Sequence, residues 1–347
     1  KSGVQPMAKH RMTIPIFVPH QGCPHRCLFC NQWVTGGAKK IPDREAVLRT
    51  VEEYRSTSEP GREIELAFFG GSFTAIDREI QEELLAAALE QKRKGLIGGI
   101  RLSTRPDCIS DAALDLLARF EVDTVELGAQ SFHDEVLNAA GRGHSAGDTV
   151  AAAKMIKSRG MGLVIQLMPG LPLDSTEKSM SSARSAADLS PEAVRIYPTV
   201  VVEGTGLEKL WRQGKYRPLS LEDAVSLCAG MYGLFSENDI PVIRIGLHPL
   251  APEEARSVLA GPYHTAFGFM VKSRVRRSVM EKALREFLEG RCGRAGGRIT
   301  AHLPARDIEE YIGHRRDNIL HLEKIAGRGG ILHEVSESGM VYFSETG

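Results

Sequence analysis

Residues Ile64 to Ser103 read IELAFFGGSFTAIDREIQEELLAAALEQKRKGLIGGIRLS and contain one complete strand–helix–strand unit. The apolar, β-rich run Ile64–Phe69 predicts a strand, and Ile100–Ser103 predicts the next one. Between them, Arg78–Lys92 follows Asp77 and is rich in Glu, Leu and Ala, which predicts a helix with an acidic N-cap. Parallel strands need a crossover of this kind, so the unit favours an α/β fold with a parallel sheet.

The same alternation continues on both sides of this unit, up to about residue 250. The runs are near-continuous in apolar residues, which is typical of strands buried on both faces of a parallel sheet. Further strands are predicted at Ile16–Val18, Val122–Leu127, Leu163–Met168 and Ala193–Tyr197, with Val242–Ile245 as a candidate seventh. Further helices are predicted at Arg44–Arg55, Asp111–Arg119, Ala146–Arg159 and from Ser220 to Phe235. Such units close into a barrel or form an open doubly wound sheet, and the pattern alone leaves both open.

Composition limits the class of protein. The chain has 347 residues, enough for one large domain and a smaller one, and its 42% hydrophobic content is ordinary for a globular protein. The formal net charge is zero, so attraction to nucleic acid must come from a local patch. The longest apolar runs are far too short to span a bilayer, and no signal-peptide pattern opens the sequence. We therefore expect a soluble cytoplasmic protein with no membrane partner.

Three of the six cysteines lie within eight positions, in the segment Gly22-Cys23-Pro24-His25-Arg26-Cys27-Leu28-Phe29-Cys30 after the first predicted strand. In a reducing compartment a tight cluster of this kind indicates metal binding, not a disulfide framework. Scattered cysteines are typical of small, buried apolar positions. We expect that role for Cys108, Cys228 and Cys292.

Thiolates suit iron–sulfur clusters, zinc or Cu(I). A closed structural zinc site wants four ligands, and here His20 and His25 are the nearby candidates for the fourth. A cluster of four irons held by Cys23, Cys27 and Cys30 would leave one iron open to a cofactor, which favours catalysis over structure. Zinc remains the alternative at this point.

Polar residues follow the predicted strands at their C-terminal ends, where barrel enzymes place their sites. In Gly70-Gly71-Ser72, two adjacent glycines let the backbone approach a ligand closely. For any single residue, a helix cap or a satisfied strand-end group is the alternative. The other strand ends are Ser103-Thr104-Arg105-Pro106-Asp107, Glu126-Leu127-Gly128-Ala129-Gln130-Ser131, Gln166-Leu167-Met168-Pro169-Gly170 and Arg195-Ile196-Tyr197-Pro198-Thr199, with Arg142-Gly143-His144 after the fourth.

The CxxxCxxC spacing, with the aromatic Phe29 before the last cysteine, resembles the radical S-adenosylmethionine (SAM) superfamily. The resemblance implies a 4Fe-4S cluster that reduces SAM to release a 5′-deoxyadenosyl radical. From Ile14 to Pro249 the segments look most like the radical domain of the Elongator catalytic subunit family, which modifies the wobble uridine of tRNA. They are similar, more loosely, to anaerobic coproporphyrinogen oxidases. The resemblance to the Elongator family rests on the stretches Thr104–Asp107, Val125–Ser131, Arg142–His144, Met168–Pro172 and Ile196–Thr199, with Gly204–Trp211 beyond them.

The resemblance also implies SAM contacts by matched position. Arg142 matches an arginine that pairs with the methionine carboxylate, a geometry that suits a guanidinium fork. Gln166 takes the place of an acid that contacts the ribose. The full set of expected cofactor residues is Phe17, Phe29, Gly70, Gly71, Ser72, Ser103, Gln130, Arg142 and Gln166, with Cys23, Cys27 and Cys30 as metal ligands. An electron donor such as flavodoxin or ferredoxin is an expected partner.

The sequence departs from the Elongator family in three places. That family spaces its cluster cysteines more widely. It also carries a C-terminal acetyltransferase domain, for which the roughly 100 residues after Pro249 are too few, and these residues lack an obvious acyl-CoA phosphate loop. We therefore expect the chain to carry out the radical step of the family's reaction. Separately, Ser72 stands where the glycine motif usually has an acidic residue.

Residues 251–347 are predicted to form a basic α+β domain after a partial-barrel domain at 1–250. Strand Arg298–Leu303, two helices joined by a turn, and strand Ile331–Val335 resemble the core of a KH nucleic-acid module, and Glu337-Ser338-Gly339 suggests a hairpin to Met340–Ser344. In KH modules a GxxG turn clamps the RNA backbone. Here Gly313, Arg315 and Arg316 are the candidate contacts, with arginine at the second glycine. The stretch from Phe269 to Arg328 contains 14 Lys and Arg but only 8 Asp and Glu, which indicates a basic patch. A packing domain with solvated surface charges would have the same composition.

The sequence thus predicts an α/β partial (β/α)6-type barrel that works as a radical SAM enzyme on tRNA or another RNA. Two alternatives remain at this point. One is a radical SAM enzyme that acts on a small molecule or a porphyrin-type substrate. The other is a non-catalytic nucleic-acid-binding protein with zinc on its cysteines.

Overall fold

The computed structural model describes residues 12–18, 23, 25–31, 40–59, 61–290, 298–327, 330–336 and 338–346. Its main body is a curled half-barrel of seven parallel strands, in the order β1-β2-β3-β4-β5-β6-β8. The strands of this sheet are β1 Met12–Val18, β2 Ile64–Gly70, β3 Gly99–Thr104, β4 Thr124–Gln130, β5 Gly162–Leu167, β6 Ala193–Ile196 and β8 Val242–Ile245. The predicted fold class is confirmed, and the candidate seventh strand is real.

Most of the helices cover the outer side of the half-barrel, whereas Asp134–Ala139 and Gly206–Arg212 lie at its mouth. The helices are α1 Arg44–Thr57, α2 Arg78–Arg93, α3 Asp111–Arg119, α4 Asp134–Ala139, α5 Ala146–Ser158, α6 Thr176–Asp188, α7 Gly206–Arg212 and α8 Leu221–Glu237. The predicted cap at Asp77 is present, and Asp43, Ser110 and Ser145 also accept a hydrogen bond from the first turn of the helix that each precedes. The sequence analysis left out α4, α6 and α7.

The two faces of the sheet carry different side chains. On β2 and β3, Leu66, Phe68 and Leu102 are fully buried in the main core beneath the helices. Their neighbours Glu65 and Arg101 point to the opposite, inner face. The strands therefore alternate more than the near-continuous pattern we expected. The reason is that the half-barrel encloses a cavity, so charged side chains such as Glu65 and Arg101 lie on its inner face among apolar ones such as Phe69 and Val164.

A smaller unit follows the half-barrel. A short ladder of β7 Val201–Val202 with β9 Val258–Ala260 and the helix α9 Pro252–Arg256 lead into α10 Phe267–Glu289. This 23-residue helix, which the sequence analysis treated only as a basic segment, joins two cores. Phe267 and Val271 pack into the main core, whereas Met280 and Leu284 belong to a second cluster.

The second cluster lies beneath a three-stranded sheet. Its elements are β10 Arg298–Pro304, α11 Ile308–Ile312, α12 Asp317–Ala326, β11 Leu332–Ser336 and β12 Tyr342–Thr346. The predicted strand–helix–turn–helix order is present, but the predicted hairpin is wrong. β10 lies between the other two strands, parallel to β11 and antiparallel to β12. β10 is the strand with the most buried side chains, so it occupies the centre. The domain boundary at residue 250 and the KH likeness stay predictions. No helix in the described ranges is long and apolar enough to cross a membrane.

Candidate active site in the half-barrel

A cavity of about 1380 Å³ runs along the inner face of the half-barrel, from the starts of the strands to their C-terminal ends. Seven of the nine predicted cofactor residues line it, together with Cys30. The seven are Phe17, Phe29, Gly70, Ser103, Gln130, Arg142 and Gln166. Gly71 and Ser72 are not part of this wall, and Ser72 is buried beside it.

The cysteine loop is fastened to the mouth of the half-barrel. Leu28 donates its amide hydrogen to the Ala140 carbonyl at 3.0 Å and accepts one from Leu207 at 2.7 Å. The ring of Phe29 packs in two small apolar clusters, one with Val136 and one with Leu207. The loop is thus held between the helices that follow β4 and β7. This anchoring keeps the cysteines at the C-terminal ends of the strands.

The thiols face strand-end residues. Cys23 Sγ lies 3.9 Å from the Ser72 hydroxyl. Cys27 Sγ accepts from Arg142 Nη1 at 3.2 Å and from Arg105 Nη1 at 3.8 Å. Within the described ranges no three His, Cys, Asp or Glu side chains already form a metal-binding group. The donor chemistry nevertheless fits an iron–sulfur cluster, because one short loop carries three soft sulfur donors, and the two guanidiniums that contact Cys27 can balance the negative charge of thiolate ligands.

Gly70 ends β2 in a conformation that suits glycine. Its φ is +116°, and a Cβ at this position would collide with the Val18 carbonyl oxygen and crowd the Phe17 ring. The Gly71 amide donates to the same carbonyl at 2.9 Å. The glycine pair therefore brings bare backbone to the cavity wall beside Phe17.

Two glutamines and an arginine form the next part of the wall. Gln166 Nε2 donates to Gln130 Oε1 at 3.2 Å, which joins the ends of β5 and β4. Gln130 has a φ of +68°, at a bulge where the register between these strands shifts. Arg142 is 5% exposed and donates to the Gly128 carbonyl, and its Nε is buried without a partner in the described structure.

Arg105 holds the backbone of Arg142, and His144 lies near both arginines; neither residue was assigned an individual role from the sequence. Arg105 is held by two 2.9 Å hydrogen bonds to Asp107 and donates to the Arg142 carbonyl. His144 lies 3.3 Å from the Ala129 carbonyl. Burial first, and then the charges of Arg142 and Arg105, lower the pKa of His144 to about 4. The imidazole is therefore neutral near pH 7.

Cys108 departs from the expected role of a plain buried residue. Burial first, and the nearby Asp107 carboxylate next, raise the pKa of its thiol, which also forms a hydrogen bond with Ser72. Since Ser72 faces Cys23 as well, Cys108 lies next to the cysteine loop. Cys228 is fully buried as expected, whereas Cys292 lies outside the described residues, as does His20.

The lower wall of the cavity holds a buried ion network. Arg101 pairs with Glu65 at 3.1 Å and approaches Glu126 at 4.0 Å. Both oxygens of Glu126 accept from Arg195 Nη1, at 2.9 and 3.0 Å. The sequence did contain a sign of this network, since each of these charges interrupts an apolar strand at an inward position.

The predicted RNA contacts lie in the C-terminal unit, away from the cavity. Gly313 has a φ of +84°, and a Cβ there would collide with the Asp317 and Asn318 side chains. Arg315 and Arg316 are exposed, with φ values of +53° and +64°. Asn318 fastens the turn to α10 through hydrogen bonds to Ser273 at 3.0 Å.

Comparison with known proteins agrees with this geometry. The family model described as the Radical SAM superfamily matches residues 17–183, and the Radical_SAM C-terminal domain matches residues 191–277. A tRNA uridine(34) acetyltransferase of Methanocaldococcus jannaschii is 27% identical over 254 residues, 62% of this chain and 47% of the relative. Elongator complex protein 3 of Saccharomyces cerevisiae is 26% identical over 205 residues, 53% of this chain and 37% of the relative. The chain thus spans about half or less of these relatives.

A solved structure shows the same fold. The archaeal Methanocaldococcus infernus Elp3 superposes with a TM-score of 0.62 at 23% identity, over 77% of this chain and 63% of that one. The predicted likeness to the Elongator radical domain is therefore confirmed. From the two matched family models and this shared fold, the chain belongs to the radical SAM superfamily of enzymes.

Proposed function

We propose that this chain cleaves SAM reductively at a 4Fe-4S cluster and uses the resulting 5′-deoxyadenosyl radical to modify a nucleoside of tRNA. One observation carries the proposal: the cysteine loop contributes Cys30 and Phe29 to a cavity that is lined by seven of the nine expected cofactor residues. The superfamily uses the cluster and SAM together, so the loop and the cavity have matching roles.

Cys23, Cys27 and Cys30 would hold the cluster, and its open iron would face the cavity. When bound, the cluster supplies the electron that cleaves the sulfonium of SAM, and an electron donor such as flavodoxin or ferredoxin would replenish it. The three thiols need not lie at ligand distance from a common point before the metal binds, because metal binding itself commonly organises its ligands. Arg105 and Arg142 would balance the charge that thiolate ligands bring to the mouth of the half-barrel.

The cavity wall would supply partners for the amino end, the carboxylate and the ribose of SAM. The Gly70 backbone would meet the amino end, and the Arg142 fork would bind the carboxylate with the Nε that lacks a partner in the described structure. The joined amides of Gln130 and Gln166 would contact ribose hydroxyls. Phe17 and Ser103 would border the remainder of the cofactor.

Two observations support RNA as the substrate. The M. jannaschii relative is named for uridine 34 of tRNA. Independently, the turn Gly313–Arg316 exposes two arginines, and Arg316 adopts the left-handed conformation that glycine would favour at that position. The turn thus keeps a GxxG-like backbone with added positive charge.

The cluster chemistry is tested by anaerobic reconstitution with iron and sulfide. We expect a brown protein that yields 5′-deoxyadenosine when dithionite and SAM are added. Cys27→Ala should lose cluster iron and abolish the product, whereas Cys228→Ala, which removes a thiol from the core, should retain both. A colourless protein with stoichiometric zinc, or a Cys27→Ala variant that still makes 5′-deoxyadenosine, would contradict the proposal.

The RNA contacts are tested separately by tRNA binding across a salt series. The double variant Arg315→Ala/Arg316→Ala should weaken binding several-fold and reduce the slope of log K against log salt by about 1 to 2. The matched control is Lys154→Ala/Arg184→Ala, which removes two exposed charges from the outer helices. Equal binding by both double variants would reject the role of this turn.

A further inference from the structure

The two buried carboxylates of the inner wall are each paired with an arginine, and neither of them pairs with Arg244. Glu65 pairs with Arg101, and Glu126 pairs with Arg195. Arg244, on β8, also lines the cavity and is half-buried. Its Nε donates to the Gly246 carbonyl at 3.1 Å, and among the described residues no carboxylate lies within ion-pair distance of it.

The register of the strands makes the charge of Arg244 costly. Arg195 and Arg244 are register partners on β6 and β8, so two guanidiniums enter the cavity side by side. Like charges on facing strand positions repel each other. Burial first, and the charge of Arg195 as well, lower the pKa of Arg244. If the charge of Arg244 had no function, a neutral residue at this position would make the folded protein more stable.

The neighbours of Arg244 can donate hydrogen bonds to an anion but do not supply the negative charge that would neutralise Arg244. Arg195 is stacked over the Tyr197 ring with its Cζ atom 5.2 Å from the ring centre, and its Nε is buried without a partner in the described structure. His248 lines the same side of the cavity, and burial followed by the charge of Arg244 lowers the pKa of its imidazole. The other acids of the wall, Glu63 and Glu192, precede β2 and β6 and so lie at the opposite end of the strands.

We propose that Arg244, with Arg195 and His248 beside it, forms a subsite for an oxyanion group of the substrate, either a phosphate or a carboxylate. The inference rests on the proposed function to the extent that this cavity is the substrate-binding cavity. The oxyanion supplies the missing counter-charge and accepts hydrogen bonds from the free nitrogens of the guanidinium. The substrate thereby extends along β6 and β8, on the far side of the cavity from the β1–β2 end where Gly70 lies.

The test compares two probes that differ by one phosphate, uridine and uridine 5′-monophosphate, on cluster-loaded protein by titration calorimetry. We expect the monophosphate to bind at least tenfold more tightly, and Arg244→Met to remove this difference while leaving uridine binding unchanged. The control Arg256→Met replaces an exposed arginine of α9 and should keep the difference.

Competition with inorganic phosphate or acetate then distinguishes the two oxyanions. Displacement by phosphate alone assigns a phosphate, and displacement by acetate alone assigns a carboxylate. Equal binding of the two probes to the unmodified protein would exclude a phosphate, and if acetate then also bound the unmodified protein and Arg244→Met equally, the subsite would be overturned. An Arg244→Met variant that still prefers the monophosphate would overturn it as well. Neither result would affect the 5′-deoxyadenosine assay, so a failure here is separate from a failure of the proposed function.

Discussion

The two faces of the half-barrel sheet differ in what holds them in place. The outer face consists of fully buried residues such as Leu66 and Leu102, packed under helices. The inner face of the same strands carries Glu65, Arg101 and Glu126, which are equally hidden but paired with one another. Burial of apolar area stabilises the outer face in almost any arrangement of similar volume. The inner face depends on specific partners, because a buried charge without a partner is strongly destabilising.

The largest expected effect comes from breaking the inner network. Glu126→Ala leaves the guanidinium of Arg195 without its carboxylate, whereas Arg101 keeps Glu65, so we expect a loss of about 3 to 5 kcal/mol in the free energy of unfolding. Chemical denaturation monitored by circular dichroism measures it.

The double variant Glu126→Leu/Arg195→Met serves as the control. It removes both charges together, and it should lose less than Glu126→Leu alone. If the double variant is the less stable of the two, the inner wall is held by packing and not by ion pairing.

A change on the outer face should be smaller and should spare the chemistry. Leu102→Ala leaves a cavity in the main core and should cost about 3 kcal/mol in the free energy of unfolding. Because Leu102 points away from the cavity, the yield of 5′-deoxyadenosine per cluster should be unchanged below the melting temperature. A fall in that yield would show that the two faces are coupled.

A third, smaller effect depends on pH and concerns His144 near the mouth of the cavity. Its pKa is about 4 in the folded protein, and the unfolded chain has an ordinary value near 6.5, so the unfolded state binds more protons between these values. The stabilising contribution is complete above pH 6.5 and is lost as the pH falls toward 4. We expect a loss of about 2 kcal/mol between pH 7 and pH 5.

The control for this effect is His144→Gln. It should remove this part of the pH dependence while the remaining titrations stay common to both proteins. Identical slopes of stability against pH in the two proteins would contradict the assignment to His144.

The sequence predicted local features better than contacts between residues that are far apart in the chain. Caps such as Asp77 and the starts of the helices depend on neighbouring residues, and they were found. The metal-ligand motif and the strand-end positions of Gly70 and Gln130 were found because parallel strands end at one edge. The hairpin after β11 was wrong, because a turn pattern does not show that β10 lies between the two strands.

The inner wall was the part that the sequence could not resolve. Glu126 and Arg195 are separated by 69 positions, and their pairing follows only from the order of β4, β5 and β6 in the sheet. The same holds for Arg105 and Cys108, whose contacts with the cysteine loop depend on how that loop folds back over the strand ends. Treating the strands as near-continuous apolar runs hid the alternation that places these charges inside.

The central claim is that the inner face with its cysteine loop binds SAM, and equilibrium dialysis of SAM against cluster-loaded Gly70→Ala and Gly61→Ala tests it most directly. Both glycines have positive φ, so both substitutions introduce backbone strain, but of the two only Gly70 borders the cavity and lacks room for a Cβ. We predict that Gly70→Ala weakens SAM binding at least tenfold with its iron content retained, and that Gly61→Ala binds like the unmodified protein. Equal affinity in all three proteins would contradict the claim.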